Sequence, residues 1–286
     1  MPTRSRPWSR SRVTPSPPPL PEPLTSTRSA TVARLRRLHD RKGRSNSGTF
    51  LAEGPDCVRA AVQAGWAKLV LVSIDHELTD WVRSHGVPVT PATPRVVDSA
   101  CDTSSSQGIV AECAIPPSDL GALLAGDGPV VVCDTIADPG NLGTIIRTAE
   151  AVGAAGVITT AGSVDPWNPK AVRAGAGSSF RVPIAADRPI EAILAACTEA
   201  GRWTIALAGD ATDEVLPAIV RARAAGHPPR ELAWVVGSEA HGVSAEMRSG
   251  VDASARLPMA PTVESLNAAI ALSVCLYTAA WIEVPR

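Results

Sequence analysis

Asp138-Pro-Gly-Asn-Leu-Gly-Thr-Ile-Ile-Arg147 is the stretch that decides how the rest of this chain reads. It follows a β-branched apolar run at 129–133, and beyond it Leu142, Ile145, Ile146, Ala149 and Val152 recur at helical spacing on one face. The motif therefore occupies a strand-to-helix turn. Pro139 and Gly140 end the strand, Asn141 is the expected N-cap, and Gly143 in the first turn lets another backbone or a ligand come close. At about 100° per residue, Arg147 projects opposite the apolar stripe, into whatever the helix lines. A helix arginine is often simply solvated, so the weight falls on what surrounds it.

Outward from this turn the chain alternates. Strands are expected at 68–73, 109–113, 156–160, 180–183, 203–208, 232–236 and 255–257, with helices at 57–64, 190–200 and 265–281 between and after them. Such alternation is the pattern of an α/β fold with a parallel sheet. Pro116, Pro117 and several glycines mark 114–128 as a linker. It separates a smaller domain, 29–113, from a larger one, 129–286. Residues 1–28 carry Arg4, Arg6, Arg10 and Arg12 among Ser and Pro with a single acid, Glu22, and read as a disordered tail. Its prolines spoil an amphipathic transit helix, which leaves a flexible RNA-touching arm or an overextended start.

Composition bounds the function. With 286 residues and 45% hydrophobic content, the chain can support two packed domains, and a formal net charge of −1 announces no global nucleic-acid field. Any RNA site must be a local patch. Of 27 basic residues only Lys42, Lys68 and Lys170 are lysine, a bias that tells little about guanidinium chemistry. Six scattered cysteines without a C-x-x-C fit a reducing cytoplasm, with neither disulfides nor a metal site expected. No apolar stretch approaches membrane-spanning length, and no secretory h-region opens the chain.

A local patch does exist. Val32, Leu35 and Leu38 are helically spaced, and Arg34, Arg36, Arg37, Arg41, Lys42 and Arg44 lie between and after them with almost no acids. A solvated face is one reading; contact with phosphate is the sharper one. The polar run 103–108 is either a loop at an RNA surface or an ordinary turn. A second basic group, Lys170 and Arg173, follows the loop Asp165-Pro-Trp-Asn-Pro169. Gly175 and Gly177 lack the third glycine and the following helix of a dinucleotide loop, and no phosphate-binding G-x-x-x-x-G-K-S/T occurs.

Two further stretches leave predicted strands. One is Gly237-Ser-Glu-Ala-His-Gly242; the other is Pro258-Met-Ala-Pro-Thr-Val-Glu-Ser265-Leu-Asn267. With Asn141-Leu-Gly-Thr-Ile-Ile-Arg147 they form an N-x-G-x-x-x-R, a G-x-E-x-x-G and a P-x(6)-S-L-N, in order. This set resembles the SpoU family of S-adenosylmethionine-dependent RNA ribose 2′-O-methyltransferases over about residues 29–286. The resemblance implies a SPOUT-type parallel sheet whose C-terminal segment forms a deep trefoil knot, a smaller N-terminal α/β ribosomal-protein-like substrate-binding domain, and a homodimer. It makes Arg147 the expected catalytic arginine, with Asn141 and Glu239 shaping its pocket and Ser265 and Asn267 supplying a hydroxyl and an amide. Gly237, Ser238, Leu257, Met259 and Leu266 are the expected cofactor contacts. Arg173 and Lys170, with Arg37, Arg41 and Arg44 of the basic helix, are the expected RNA contacts.

The implied substrate is ribosomal RNA, 23S foremost, because the N-terminal part resembles that of rRNA enzymes of the thiostrepton-resistance type. A tRNA enzyme and a non-catalytic RNA-binding protein on the same scaffold are the alternatives. His241 lies at a position the family fills variably, and Pro261 stands where members often carry a small residue. The final helix is the expected dimer contact through Leu266, Ala269, Ile270, Ser273, Val274 and Tyr277, though burial within one subunit predicts the same stripe.

Overall fold

The computed structural model describes residues 19–103, 106–238, 240–263 and 265–283. The first domain runs α1 (Ala30–Arg37), α2 (Arg41–Ser47), β1 (Thr49–Glu53), α3 (Pro55–Gln63), β2 (Ala67–Ser73), α4 (Thr79–Ser84), β3 (Val89–Ala92), α5 (Pro94–Ala100) and β4 (Ile109–Ala114). Its sheet has the order β1-β4-β2-β3, with β4 antiparallel to both neighbours. The second domain continues with α6 (Leu120–Leu124), β5 (Val130–Asp134), α7 (Pro139–Ala151), β6 (Gly156–Thr160), α8 (Pro169–Ala174), β7 (Ile184–Arg188) and α9 (Ile190–Glu199). It ends with β8 (Trp203–Leu207), β9 (Asp213–Glu214), α10 (Val215–Ala224), β10 (Leu232–Gly237), α11 (Ala245–Gly250), β11 (Ala253–Arg256) and α12 (Ala268–Glu283).

The second sheet is parallel throughout, in the order β7-β6-β5-β10-β8-β11-β9. Its central strands β5 and β10 are buried at every residue, as continuous apolar strands covered on both faces must be. From β5 the chain builds outward through β6 to β7, then crosses to β8 on the other side. β10 enters between β5 and β8, and β11 between β8 and β9. The carboxyl ends of β5, β8, β10 and β11 consequently share one edge at the point where the winding reverses, the place where open α/β sheets bind ligands.

An aromatic cluster joins the domains. The chain has only two phenylalanines, Phe50 and Phe180, one in each domain. Their rings stack with centroids 5.7 Å apart, Trp167 lies 4.8 Å from Phe50, and Trp66 lies 5.4 Å from Phe180. One hydrophobic core runs through this contact from the first domain into the second. Two domains thus pack as one body.

Several expectations need correction. The strand expected at 180–183 is a 3-10 turn over Ser178–Phe180, with β7 beginning at Ile184. Phe180 is drawn into the aromatic cluster, and Ala176 and Gly177 both take positive φ, which turns the chain rather than extending it. Asp138, not Asn141, caps α7: its Oδ1 accepts the Asn141 N–H at 2.9 Å, and Pro139 takes the first helical position. The tail does not reach Arg28 unpaired, because Leu24 bridges to Ala92 with its N–H on the Pro91 carbonyl at 2.9 Å; residues 1–18 lie outside the described residues. The stretch 114–128 holds α6, and its first residue, Ala114, still belongs to β4. The final helix starts at Ala268 instead of 265, where the Asn267 Oδ1 accepts the N–H of Ala269 at 3.0 Å and of Ile270 at 3.1 Å.

Candidate active site

β10 delivers Gly237 into a tight return of the chain. Ser238 and Gly242 bridge, and the Gly242 N–H donates to the Ser238 carbonyl at 2.8 Å. A Cβ on Gly237 would stand 2.0 Å from the Gly242 carbonyl carbon and oxygen, so the glycine is required by the loop's own backbone. Asp134, fully buried at the end of β5, holds the far side of this loop. Its Oδ2 accepts the Ser244 N–H at 2.7 Å and its Oδ1 accepts the Thr160 hydroxyl at 3.1 Å. Two adjacent parallel strands are thereby tied at the edge where the crevice opens.

The crevice is a cavity of about 190 Å³. Gly237, Ser238 and Gly242 line it from β10 and its loop, and Leu257, Met259, Ser265 and Leu266 from the segment after β11. All five expected cofactor contacts and Ser265 therefore meet in one place. Leu207 to Gly209 at the end of β8, together with Arg256, Ala268 and Ala271, complete the wall. The sequence reading missed these. The only signal for the β8 segment was that a strand ended there, and its neighbourhood to β10 and β11 exists only in the folded sheet.

Asn141, Arg147 and Asn267 lie outside that lining, on the α7 and α12 side. The Asn267 Nδ2 donates to the Asn141 Oδ1 at 3.0 Å, and the hydroxyls of Thr148 and Ser273 meet at 3.0 Å, so the two helices are pinned at two levels. Arg147 is exposed and has no partner among the described residues. Glu239 lies outside the described residues. His241 is exposed on the loop and does not line the cavity.

α7 also packs on α8 through Gly143, where a Cβ would stand 2.4 Å from the Ala171 carbonyl oxygen. The close approach anticipated at Gly143 is thus to a helix backbone. Lys170 on α8 sits 3.3 Å from the Asp138 Oδ2, and the Asn141 N–H, then Lys170, hold the Asp138 carboxyl below the usual carboxylate range.

The expected RNA contacts separate into two groups. Arg37 is exposed, and exposed Arg41 pairs loosely with Asp187 at 3.3 Å. Arg44 must be withdrawn: it is 2% exposed, its Nε and Nη2 reach the Asp165 Oδ2 at 2.7 Å, and its Nη1 donates to the Leu38 and His39 carbonyls at 2.8 Å. It joins the first domain to the second and presents nothing to a phosphate. Arg173 is engaged as well, with Nη1 2.5 Å from the Glu53 Oε2. The acids missing from the basic helix in sequence are supplied from elsewhere in the fold, Glu112 to Arg34 among them.

Among the described residues no group of three or more His, Cys, Asp or Glu is arranged to hold a metal ion, and no helix is long and apolar enough to cross a membrane.

Residues 128–277 match the model of the SpoU rRNA Methylase family, and residues 29–111 match the MRM3-like substrate binding domain. An uncharacterised tRNA/rRNA methyltransferase of Synechocystis is 32% identical over 90% of this chain and 92% of its own length. The 23S rRNA (uridine(2479)-2′-O)-methyltransferase of Streptomyces viridochromogenes is 31% identical over 85% of this chain and 86% of its own. Among solved structures, the AdoMet-bound rRNA methyltransferase of Sinorhizobium meliloti superposes with a TM-score of 0.80 at 28% identity, covering 92% of this chain and 99% of that one. The chain belongs to the SpoU rRNA methylase family.

Proposed function

We propose that this protein methylates a ribose 2′-oxygen of ribosomal RNA, 23S rRNA foremost, using S-adenosylmethionine. The observation that carries the reading is the cavity at the sheet's carboxyl edge, whose wall is made by the ends of two of the family's motifs while the third, on α7, stands beside it. The cavity suits the cofactor. Leu207, Val236, Ala255, Leu257, Leu266 and Ala268 offer apolar walls to a base and an aliphatic methionine chain, the Ser238 and Ser265 hydroxyls offer hydrogen bonds, and the strand ends expose backbone polar groups. When bound, S-adenosylmethionine supplies an electrophilic methyl group on a sulfonium.

The chain's own task is alignment, which contributes up to roughly 7 to 11 kcal/mol at best. As the new bond to the methyl carbon forms, that carbon's bond to sulfur breaks and leaves a neutral thioether, and the ribose hydroxyl gives up its proton. A guanidinium stays charged at neutral pH and does not take that proton. Arg147 instead stabilises the charge developing on the 2′-oxygen, and the proton passes to water or a phosphate. Asn141 and Asn267 fix α7 against α12. Arg37, Arg41 and Lys170 hold RNA phosphates. An Arg147→Lys variant with near-normal turnover and a pH profile moved to the lysine range would show instead that the side chain at this position is a base.

The active form is a homodimer. Ile270, Val274, Tyr277 and Trp281 follow one face of α12 and stay 53%, 44%, 37% and 71% exposed, while Ala269, Leu272, Cys275, Leu276 and Ala279 are buried in the subunit. α12 meets α7 where the Ser273 hydroxyl touches that of Thr148, next in sequence to Arg147, which supports a second copy seated there completing the site. The entry of β10 and β11 between strands that precede them supports a C-terminal knot. The reducing chemistry of six unpaired thiols supports a cytoplasmic setting.

The test is transfer of labelled methyl from S-adenosylmethionine to deproteinised rRNA and, separately, bulk tRNA, with Arg147→Ala as control. Label in rRNA that resists alkaline cleavage and vanishes in the variant is expected. Label in tRNA alone would move the substrate to the alternative class; no label and no cofactor binding by calorimetry would leave a non-catalytic RNA-binding protein.

A further inference from the structure

Arg173 is held in a way that a phosphate-binding arginine is not. Its Nη1 lies 2.5 Å from the Glu53 Oε2 and its Nη2 3.8 Å from the Asp102 Oδ2. Glu53 is 2% exposed, and its other oxygen accepts the Asp102 N–H at 2.9 Å. Asp56 lines the same cavity between the domains. One guanidinium thus meets two carboxylates, with a third on the wall of the same cavity, and an incoming phosphate would be repelled there rather than drawn in. A buried carboxylate survives only where its charge is matched, and Arg173 is the match for Glu53.

The pair spans the domain boundary. Glu53 ends β1 of the first domain; Arg173 lies in the last turn of α8 of the second. Nearby, the Cys57 thiol approaches the Val172 carbonyl at 3.7 Å, so α8 lies directly on the first domain. On its other side α8 meets α7 at Gly143, one turn from Arg147, with no room for a methyl group between them. Residues in such direct succession transmit position because close-packed helices shift together.

We infer that Glu53, acting through Arg173, is a positioning residue that fixes the RNA-holding domain to the helix pair carrying Arg147. This rests on the reading of the protein as an RNA methyltransferase. It assigns to Arg173 the role of a domain tie in place of a substrate phosphate contact.

The experiment compares full-length wild type with Glu53→Gln, Arg173→Ala, Arg173→Lys and the double variant that combines Glu53→Gln with Arg173→Ala. Calorimetry reads S-adenosylmethionine affinity, single-substrate kinetics read kcat and KM for rRNA, and hydrogen exchange reads the amides of 49–54 and 169–175. Expected are cofactor affinity within about twofold of wild type, kcat reduced about tenfold or more in Glu53→Gln and Arg173→Ala alike, RNA KM little changed, and faster exchange in both segments. The double variant should be no worse than either single one, as for partners in one interaction, and Arg173→Lys should recover part of kcat. Wild-type kcat and exchange in Glu53→Gln would overturn the inference, as would an Arg173→Ala variant that loses only RNA affinity with a shallower salt dependence. If wild type itself labels no RNA, the functional reading fails by that result alone, and the exchange data still decide whether Glu53 docks the domains.

Discussion

Arg44 offers a sharp test of burial against charge patterning, because it sits in a run that reads as an RNA-binding face and yet is 2% exposed. Arg44→Ala removes one partner of an ion pair whose other member, Asp165, is itself only 14% exposed, and strips the Leu38 and His39 carbonyls of their donor. Breaking a buried pair from one side costs about 3 to 5 kcal/mol. Asp165 keeps some contact with water, and the His39 contact is only part-buried, so the lower end applies, about 3 kcal/mol. At about 2 to 4 °C per kcal/mol for a chain of this size, the melting temperature should fall by about 6 to 12 °C. Calorimetric melting and filter binding to rRNA at several salt concentrations read the two accounts separately. The Arg44→Met/Asp165→Ala double variant should recover most of the loss, since no charge is then left buried. A variant that melts within about 2 °C of wild type while its salt slope for RNA drops by about one phosphate would refute the reasoning and restore Arg44 as an RNA contact.

Gly237→Ala should lower S-adenosylmethionine affinity at least about tenfold, since the 2.0 Å approach of Gly242 leaves the loop no way to keep its shape; a calorimetric titration indistinguishable from wild type would contradict this. Trp281→Glu should convert a dimer to a monomer in sedimentation velocity and abolish methyl transfer, whereas an unaltered dimer would place the interface elsewhere. All six cysteines are unpaired and buried, and burial pushes Cys57 and Cys197 up to about 11 and Cys101 and Cys275 to about 12. The folded state therefore favours the neutral thiol, with this stability intact below the unfolded value near about 8.5 and lost as pH climbs through 11. At pH 8 the native protein should react with no thiol reagent and release six thiols on denaturation; a fast-reacting native thiol would show that one of them is open.

Much of the site was legible because its signals are local. Leu142, Ile145, Ile146 and Ala149 carry their helix in their spacing, and all four are buried on α7 while Arg147 faces out. Gly237, Ser238, Leu257, Met259, Ser265 and Leu266 come instead from the likeness of their motifs to the family; spacing shows only that each motif follows an apolar run. The capping of α7 was misread by three residues, since Asp, Asn and Pro-Gly compete for one turn and only the backbone geometry selects Asp138.

By itself, then, the sequence determined the alternation of strands and helices, because period and turn chemistry act over a few positions of chain, while the motif residues around the cavity were named by their likeness to a family. Tertiary structure alone decided what each charged side chain does. Arg37, Arg44 and Arg173 are alike on paper, but Arg37 meets solvent, Arg44 meets Asp165 across 121 positions of chain, and Arg173 meets Glu53 across 120. A charge acts on whatever stands within a few ångströms of it, and only folding brings those neighbours together.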